Sequence, residues 1–265
     1  MQPVIKWSGS KRHQAAEIIS CFPESYGTYF EPFLGGGSIL GALQPENPIV
    51  GDICAPLIGI WNYIKDDPDK LYYHYKHNWL LLQKDKDHYY TMRTRFNSTK
   101  NPLDFFFLTR TAYNGLVRFN SRGEFNSSFH STRPGIHPDK LYKIINQWHN
   151  VIKDTTFITG DCYRTLSSVS AGDLVYLDPP YANTTGMYGE KFTVKDIIEL
   201  LKYINSKDAY YVLSYDGKST VADNTVEIPS DLYTKKLYTR SYNSSFQRLK
   251  GNKNVQVQES LYVNF

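Results

Sequence analysis

The stretch Leu174-Val175-Tyr176-Leu177-Asp178-Pro179-Pro180-Tyr181 decides the fold, because an apolar run stops abruptly at a carboxylate. A short apolar run bounded by turn residues is typical of a buried strand. The two prolines cannot donate a backbone hydrogen bond, so strand pairing ends there and the backbone is stiff. We therefore expect the Asp178 carboxylate and the Pro179 carbonyl to be held in fixed positions beside the ring of Tyr181.

Two rigid acceptors beside a flat ring suit a planar base that carries an exocyclic amino group. The same residues also allow a plainer interpretation, a turn after a strand with an incidental acid, because Asp-Pro-Pro is good turn chemistry. The other motifs of the sequence distinguish between a base-binding site and a plain turn.

Length and composition limit the class of protein. A chain of 265 residues can form one large domain, or a core with an inserted lobe. Three cysteines without a Cys-x-x-Cys pair cannot form a disulfide framework, which indicates a reducing cytosol and no structural zinc. The chain starts without the apolar region of a signal peptide, and no apolar run approaches the roughly 20 residues that span a bilayer. We expect a cytoplasmic protein with no membrane contact and no metal.

Positive charge is concentrated in the middle of the chain. Residues 71–150 contain 12 lysines and arginines against 5 acids, a net charge of +7, whereas the whole chain carries +4. The remaining residues are therefore slightly acidic. A basic region within an acidic frame is typical of a polyanion-binding site, although a solvated basic helical lobe would look the same.

Strand and helix patterns alternate along the chain, which predicts an α/β fold with a largely parallel sheet. Helical spacing continues from about Ala55 to Trp79, and Asn120-Ser121-Arg122-Gly123 has the composition of a hairpin turn. We predict one core, 1–54 and 151–265, with a basic lobe at 55–150 that carries a β-hairpin near 113–129. The predicted strands are 28–33, 48–52, 156–159, 173–177, 210–214 and 261–265, and further predicted helices are 104–111, 140–151 and 194–204.

A glycine-rich turn follows the first predicted strand in Phe33-Leu34-Gly35-Gly36-Gly37-Ser38. Glycines let a ligand approach the backbone, and the helix that follows adds the positive end of its dipole. Asp52 ends the next strand, where a carboxylate can accept hydrogen bonds from a ribose diol. This order favours an adenosyl ligand over a plain tight turn, although the spacing does not demand a pyrophosphate.

Two further elements could complete such a site. Asp161 follows the strand at 156–159 and could contact the amino group of an adenine, or could simply cap a helix. In Lys6-Trp7-Ser8-Gly9-Ser10-Lys11, a lysine and a tryptophan near a glycine could hold the amino-acid part of a ligand.

Taken together, these motifs resemble the Dam-type DNA adenine-N6 methyltransferases nearly from end to end. The resemblance rests on the order Lys-Trp-x-Gly-x-Lys, Phe-x-Gly-Gly-Gly, a basic target region and Asp-Pro-Pro-Tyr. It includes a hairpin that reads DNA at 113–126 and a closing strand at Gln258-Glu259-Ser260-Leu261-Tyr262. It implies a Rossmann-like methyltransferase core with an inserted helical and β-hairpin lobe for DNA recognition.

The resemblance implies that S-adenosyl-L-methionine is the cofactor and S-adenosyl-L-homocysteine the product. It makes Asp178, Pro179 and Tyr181 the catalytic residues. Cofactor-contacting positions of the family match Trp7, Lys11, Asp52 and Asp178, and Phe33, Gly35 and Asp161 are expected to add to the pocket.

The resemblance also implies that double-stranded DNA is the substrate, in the nucleoid of a bacterium or a phage-infected cell. Arg118 matches an arginine that reads a guanine edge, Leu116 would touch a thymine methyl, and Tyr113 and Asn114 match residues that wedge into the duplex. The DNA-contacting set is completed by Arg122 and Ser128. Dam proteins carry Pro-Phe-Gly where this chain has Ser128-Phe129-His130, so the resemblance does not extend to recognition of GATC. A cognate restriction endonuclease stays open as a partner.

Three alternatives share parts of this pattern. A cytosine-N4 methyltransferase needs the same pocket, but many such enzymes carry serine where this chain has Asp178. A protein-glutamine methyltransferase uses a related Asn-Pro-Pro-Tyr, which the aspartate and the basic hairpin disfavour. A DNA-binding regulator with an inactive methyltransferase fold would have lost the Asp-Pro-Pro-Tyr stretch or the cofactor glycines, and both are intact here.

Overall fold

A computed structural model describes residues 1–180, 192–219, 225–240, 242–243 and 256–265 of the chain. The helices of this part are α1 (Ala15–Ile19), α2 (Ser38–Leu43), α3 (Ala55–Asp66), α4 (Pro68–Lys84), α5 (His88–Thr99), α6 (Pro102–Thr111), α7 (Pro138–Ile152), α8 (Cys162–Thr165) and α9 (Val194–Asn205). The strands are β1 (Tyr29–Glu31), β2 (Ile49–Asp52), β3 (Thr156–Thr159), β4 (Leu174–Leu177), β5 (Tyr210–Ser219), β6 (Lys235–Tyr238), β7 (Tyr242–Asn243) and β8 (Gln256–Val263).

The strands form one mixed sheet in the order β3-β2-β1-β4-β5-β8-β6, with β7 paired to β8. The first five strands in this order are parallel, and β8 runs antiparallel to β5, β6 and β7. The predicted α/β fold with a largely parallel sheet is confirmed. The strand predicted at 261–265 is longer, because β8 begins at Gln256 and ends at Val263.

The sheet is buried on both faces. In β4, Leu174 and Tyr176 point into one hydrophobic core, and Val175 and Leu177 point into the other. Helices α2, α3 and α7 cover the first face, and α9 covers the second. Burial on both faces explains why β4 reads as an unbroken apolar run rather than an alternating pattern.

Helices α3 to α7 lie between β2 and β3 in the sequence, and α3 and α7 pack directly on the sheet. The ring of Trp61 in α3 stacks on Phe157 of β3 at a centroid distance of 6.0 Å and contacts Trp148 of α7 at 4.9 Å. The division of the chain at residues 54 and 151 stays a prediction. None of the helices within the described ranges is both long and apolar enough to cross a bilayer.

The helical prediction from about Ala55 to Trp79 is confirmed except at Asp67, which separates α3 from α4. The helical conformation is interrupted at Asp67. Its carboxylate accepts a hydrogen bond from the Lys70 N–H at 3.1 Å and so caps α4. Pro68 then occupies the first position of α4, where its missing N–H costs nothing. The Asp-Pro pair in the sequence was the signal for this boundary.

The predicted hairpin at 113–129 is only partly formed. Its turn is present, because the Gly123 N–H donates to the Asn120 carbonyl at 2.9 Å. Ladder pairing is reduced to two isolated bridges, Ala112 with Phe129 and Phe119 with Phe125. The backbone of Phe125 is instead paired with a side chain of α5. The amide of Asn97 bonds both the N–H and the carbonyl of Phe125, at 2.7 and 3.0 Å. We call 112–130 the recognition loop.

A buried ion-pair cluster ties α4, α5 and α6 together. The Asp104 carboxylate accepts hydrogen bonds from Arg95 Nε at 2.7 Å and from His74 Nε2 at 3.0 Å. Burial alone would raise the pKa of Asp104, but the bonds from His74 and Arg95 outweigh it and hold the pKa below its usual value. The ionised carboxylate therefore stabilises the helical lobe.

Replacing Asp104 with asparagine should lower the free energy of unfolding by about 1.5–3 kcal/mol at pH 7, since hydrogen bonds to a charged group are lost. A lowered carboxyl pKa contributes stability above the unfolded value, near 4, that disappears as the pH falls. Urea titrations at pH 7 and 3.5 should therefore show a larger difference from the parent protein at pH 7. Glu199→Gln, which breaks an exposed pair with Lys195, is the matched control and should change stability by less than about 1 kcal/mol. An equal Asp104→Asn effect at both pH values would contradict this account.

Candidate active site

Four predicted site residues follow adjacent parallel strands and therefore lie at one edge of the sheet. Gly35 follows β1, Asp52 ends β2, Asp161 follows β3, and Asp178 follows β4. Ligands of open α/β sheets bind in the crevice outside the carboxyl ends of the strands. The structure thus brings these residues of four separate motifs to the same edge.

The glycine turn has backbone angles that would be strained if other residues replaced its glycines. Gly35 and Gly37 have φ values of +49° and +64°, in the left-handed region that favours glycine. A Cβ atom on Gly35 would lie 2.8 Å from Cδ1 of Trp7, so the turn and the indole pack without space for a side chain. Trp61 fixes the turn from the other side, donating its indole N–H to the Gly35 carbonyl at 3.2 Å.

Asp52 is buried and holds the turn against β2. Its two carboxylate oxygens accept hydrogen bonds from the N–H of Gly35 at 3.0 Å and of Cys54 at 2.9 Å. Burial raises the pKa of Asp52 to about 6, against the opposing effect of these backbone bonds. The Ile53 N–H also bonds this carboxylate, so the backbone takes three of its roughly four acceptor sites.

Two apolar residues follow β1 and β2 at this edge of the sheet. Ile53 is 49% exposed, although it lies between buried elements, and Phe33 is half-buried and packs edge-on against Phe192 at 5.3 Å.

Asp161 is exposed and caps α8, accepting a hydrogen bond from the Arg164 N–H at 2.8 Å. Its capping role is therefore present, and a contact with adenine stays a prediction.

Asp178 takes part in a chain of charges that crosses the sheet edge. Its carboxylate lies 3.1 Å from Lys11 Nζ, which also lies 3.2 Å from each oxygen of Glu259 in β8. Gln14 donates to Glu259 at 3.2 Å. The Lys11 and Glu259 side chains are 6% and 5% exposed, whereas that of Asp178 is 21% exposed. Of these three charged side chains, that of Asp178 is thus the most open to a ligand.

The protonation of this cluster follows from burial. Burial raises the pKa of Asp178 to about 6, the Lys11 ammonium opposes the shift, and the charge of Glu259 adds to it. Burial also raises the pKa of Glu31 to about 8, while hydrogen bonds from Tyr29 and from the Leu40 N–H oppose it and the charge of Asp178 adds to it. At neutral pH Asp178 is therefore mostly ionised and can accept hydrogen bonds, while Glu31 is mostly neutral.

The N-terminal segment 6–11 connects the parts of the site. Lys6 packs against Gly115 of the recognition loop, where a Cβ atom would lie 2.7 Å from the lysine side chain. Trp7 covers the glycine turn, Ser10 Oγ lies 2.8 Å from Ser38 Oγ at the start of α2, and Lys11 reaches Asp178. This short segment therefore contacts, in order, the recognition loop, the glycine turn and Asp178 at the edge of the sheet.

The recognition loop exposes most of the residues predicted to contact DNA. Tyr113 is 51% exposed, Asn114 is exposed with a φ of +53°, and Leu116 is half-buried. Arg118 is exposed and donates through Nε to the Asn126 side chain at 2.8 Å, a bond that does not use its two outer nitrogens. This is a geometry that can present a bidentate fork.

Two predicted DNA contacts have partners within the loop itself. Arg122 is exposed and pairs with Glu124 at 2.9 Å, so its charge is partly balanced. Ser128 is exposed, and its carbonyl accepts a hydrogen bond from the Tyr113 N–H at 2.8 Å. Tyr181 lies outside the described residues, and its stacking role stays a prediction. Pro179 is buried directly beside Asp178.

An uncompensated group of cations lies beneath the loop. Burial and the charges of Arg110 and Arg133 lower the pKa of Lys6. The Arg110 guanidinium is buried and donates to the Pro3 carbonyl at 3.1 Å. Of the ion pairs formed within the described ranges, none involves Lys6, Arg110 or Arg133. A cluster of this kind favours a polyanion.

Sequence reasoning missed several residues of this site. Glu31 and Gln14 gave no signal, because an acid at a strand end and a polar residue near a helix are common. Ile53 could have been found as an apolar residue that follows a strand-end acid. For Glu259, the sequence pattern indicated only a position in the closing strand. No group of three or more histidine, cysteine or acidic side chains in the part of the chain that the structure describes could hold a metal ion.

A mixed, largely parallel sheet with a glycine turn, a strand-end acid and an Asp-Pro-Pro corner at one edge is typical of a Rossmann-like methyltransferase. The family model of the D12 class N6 adenine-specific DNA methyltransferases matches residues 7–257. The chain belongs to this family. The prediction of an adenine-specific DNA methyltransferase is confirmed at this level.

Curated relatives agree with the family. The chain is 31% identical to a DNA adenine methylase of Serratia marcescens, over 72% of this chain and 73% of that one. It is 28% identical to the Type II methyltransferase M1.LlaDCHI of Lactococcus lactis subsp. cremoris, over 81% of each chain. It is also 28% identical to a DNA adenine methylase of Haemophilus influenzae, over 83% of this chain and 81% of that one.

Proposed function

We propose that the protein transfers the methyl group of S-adenosyl-L-methionine to N6 of an adenine flipped out of double-stranded DNA at a specific sequence. The observation that supports this most is the Asp178 carboxylate, which is paired with Lys11 at 3.1 Å and partly open at the edge that carries the glycine turn. Membership of the N6 adenine-specific family supports N6 of adenine as the atom that receives the methyl group.

The residues at the sheet edge fit an adenosyl cofactor in two respects. Asp52 lies at the carboxyl end of β2 and keeps acceptor capacity beyond its three backbone bonds for a ribose hydroxyl. Ile53 exposes an apolar side chain directly next to it, which suits the face of an adenine. When bound, the cofactor supplies a methyl group activated by a positively charged sulfur and leaves as S-adenosyl-L-homocysteine. Trp7, Phe33 and Gly35 would add to this pocket, and Lys11 and Asp178 would border it.

Double-stranded DNA fits the other half of the site. Lys6 is half-buried and Arg133 is exposed, and neither forms an ion pair within the described part of the chain, which favours a phosphate backbone. Arg118 presents its outer nitrogens in the fork geometry that reads a guanine edge. Tyr113, Asn114 and Leu116 lie along the same exposed loop, and Arg122 and Ser128 flank it.

Asp178 can accelerate methylation without acting as a strong base. The N6 lone pair of adenine is delocalised into the ring, and the base is unreachable inside the duplex, so it must be extruded. The Asp178 carboxylate and the Pro179 carbonyl would accept the two N6–H bonds, and Tyr181 would stack on the ring. Positive charge develops on N6 as it pyramidalises, and a fixed carboxylate stabilises that state more than the planar base.

Incubation of the protein with plasmid DNA and radiolabelled S-adenosyl-L-methionine tests the proposed function. Labelled N6-methyladenine should appear in the DNA, and single-molecule sequencing of DNA from a methylation-free host that expresses the protein should show one sequence context. Labelled N4-methylcytosine would instead favour the cytosine alternative. Salt-dependent DNA binding without any transfer would favour an inactive regulator.

Replacing Arg118 with alanine should cost about 1–3 kcal/mol of discrimination at one base position, because a bidentate contact with one base is lost. Methylation rates on duplexes that differ at single positions of the recognised sequence measure this. Arg122→Ala, whose charge Glu124 already balances, is the matched control and should change specificity less. An equal loss on all DNA sequences would show that Arg118 binds a phosphate instead.

A further inference from the structure

A stacked pair of rings closes the base of the recognition loop. The ring of Tyr113 lies over the ring of His130, with 5.0 Å between centroids and 28° between the planes. Tyr113 is 51% exposed, whereas His130 is 8% exposed. One face of the tyrosine is therefore covered by a buried ring, and the other side of the pair is open to solvent.

The backbone holds the histidine ring from several directions. The His130 N–H donates to the Thr111 carbonyl at 3.1 Å, and the Arg133 N–H donates to His130 Nδ1 at 3.2 Å. The Thr132 hydroxyl lies 3.3 Å from the same ring nitrogen. Because α6 ends at Thr111, the backbone bond fixes residue 130 at the end of that helix, and the bonds from Thr132 and Arg133 orient its ring. His130 can therefore serve as a fixed support.

The tyrosine backbone is fixed at the same place. Its N–H donates to the Ser128 carbonyl at 2.8 Å, and the neighbouring Ala112 forms a bridge with Phe129. With the backbone and one ring face both held, the side chain loses much of the rotamer freedom that an exposed tyrosine otherwise has. Near-parallel aromatic rings at this distance attract each other.

We propose that His130 is a positioning residue, which holds Tyr113 so that the free face of its ring stacks on a DNA base exposed when the adenine leaves the duplex. The inference rests on the proposed function and assigns a role to a residue that departs from the Dam pattern. An aromatic ring accepts any base on its face, so this contact supplies affinity rather than sequence preference. Holding the ring in advance reduces the entropy lost on binding.

A double-mutant cycle tests the proposal. The parent protein, His130→Ala, Tyr113→Ala and the double variant are titrated with a duplex that carries 2-aminopurine at the methylated adenine. Fluorescence anisotropy gives the affinity, and 2-aminopurine emission reports base extrusion. His130→Ala should weaken binding about 3- to 10-fold, the cost of ordering one side chain. In the Tyr113→Ala background, the same change should have no further effect.

His130→Phe is the matched control, because it keeps a ring under Tyr113 while losing the ring nitrogens. It should bind the duplex within about twofold of the parent protein, and thermal melting shows whether each variant is folded. An undiminished His130→Ala effect in the Tyr113→Ala background, or a His130→Phe variant as weak as His130→Ala, would overturn the proposal. Absence of methyl transfer by the parent protein would instead overturn the proposed function, since the coupling is measured by DNA binding alone.

Discussion

Replacing Asp178 with asparagine should slow methyl transfer by about 10²- to 10³-fold, the usual cost of removing one group that stabilises developing charge. Asparagine keeps the shape of the side chain but removes the negative charge that faces N6 in the transition state. Folding should be retained, because Lys11 keeps its partner Glu259 at 3.2 Å and is not left as an unpaired buried charge. The loss should therefore fall on the chemical step.

Single-turnover transfer of labelled methyl to DNA measures this effect, and anisotropy measures DNA binding separately. Asp154→Asn is the matched control, since Asp154 is exposed just before β3, at the opposite edge of the sheet, and should have normal rates. A turnover of Asp178→Asn near that of the parent protein would refute the proposed role of the carboxylate.

Replacing Lys11 with methionine should lower the free energy of unfolding by about 3–5 kcal/mol at pH 8, the usual cost of breaking a buried ion pair by removing one partner. Asp178 and Glu259 would then face each other without the cation between them. Lys11→Arg, which keeps the charge, should recover part of the loss. Denaturant unfolding of the three proteins measures the difference.

The pH dependence of the Lys11→Met effect gives a second measurement. The folded pKa of Asp178, about 6, is above its unfolded value near 4, so its contribution to stability falls as the pH rises through this range. Without the ammonium that opposes the shift, the folded pKa of Asp178 rises further. The stability difference should therefore be smaller at pH 5 than at pH 8, and the acid limb of the methylation rate should move to higher pH. An acid limb at the same pH in both proteins would contradict this role of Lys11.

The sequence predicted strongly patterned elements well. Two prolines and a carboxylate after an apolar run placed the end of β4 correctly, because proline cannot continue a ladder. The bounds of β3 were correct, and those of α9 agreed within one residue. The recognition loop was harder, since its two arms form only isolated bridges and Phe125 also bonds the Asn97 side chain of a helix.

The electrostatics of the site could not be predicted in the same way. Local pattern identified Asp178, Asp52 and the glycine turn, since each follows a strand directly. The partners that set the charge of Asp178 come from other places, with Lys11 near the start of the chain and Glu259 in the antiparallel β8. Only the order of strands in the sheet brings them together, and no periodicity in the sequence encodes that order.

The hydrogen bond between Lys11 and Glu259 joins residues that are 248 positions apart. Contacts between such distant segments form slowly, because a long loop must close first, whereas neighbouring helices can assemble early. Lys11 therefore has its second carboxylate only after β8 has paired with β5, so the charge environment of Asp178 is completed late in folding.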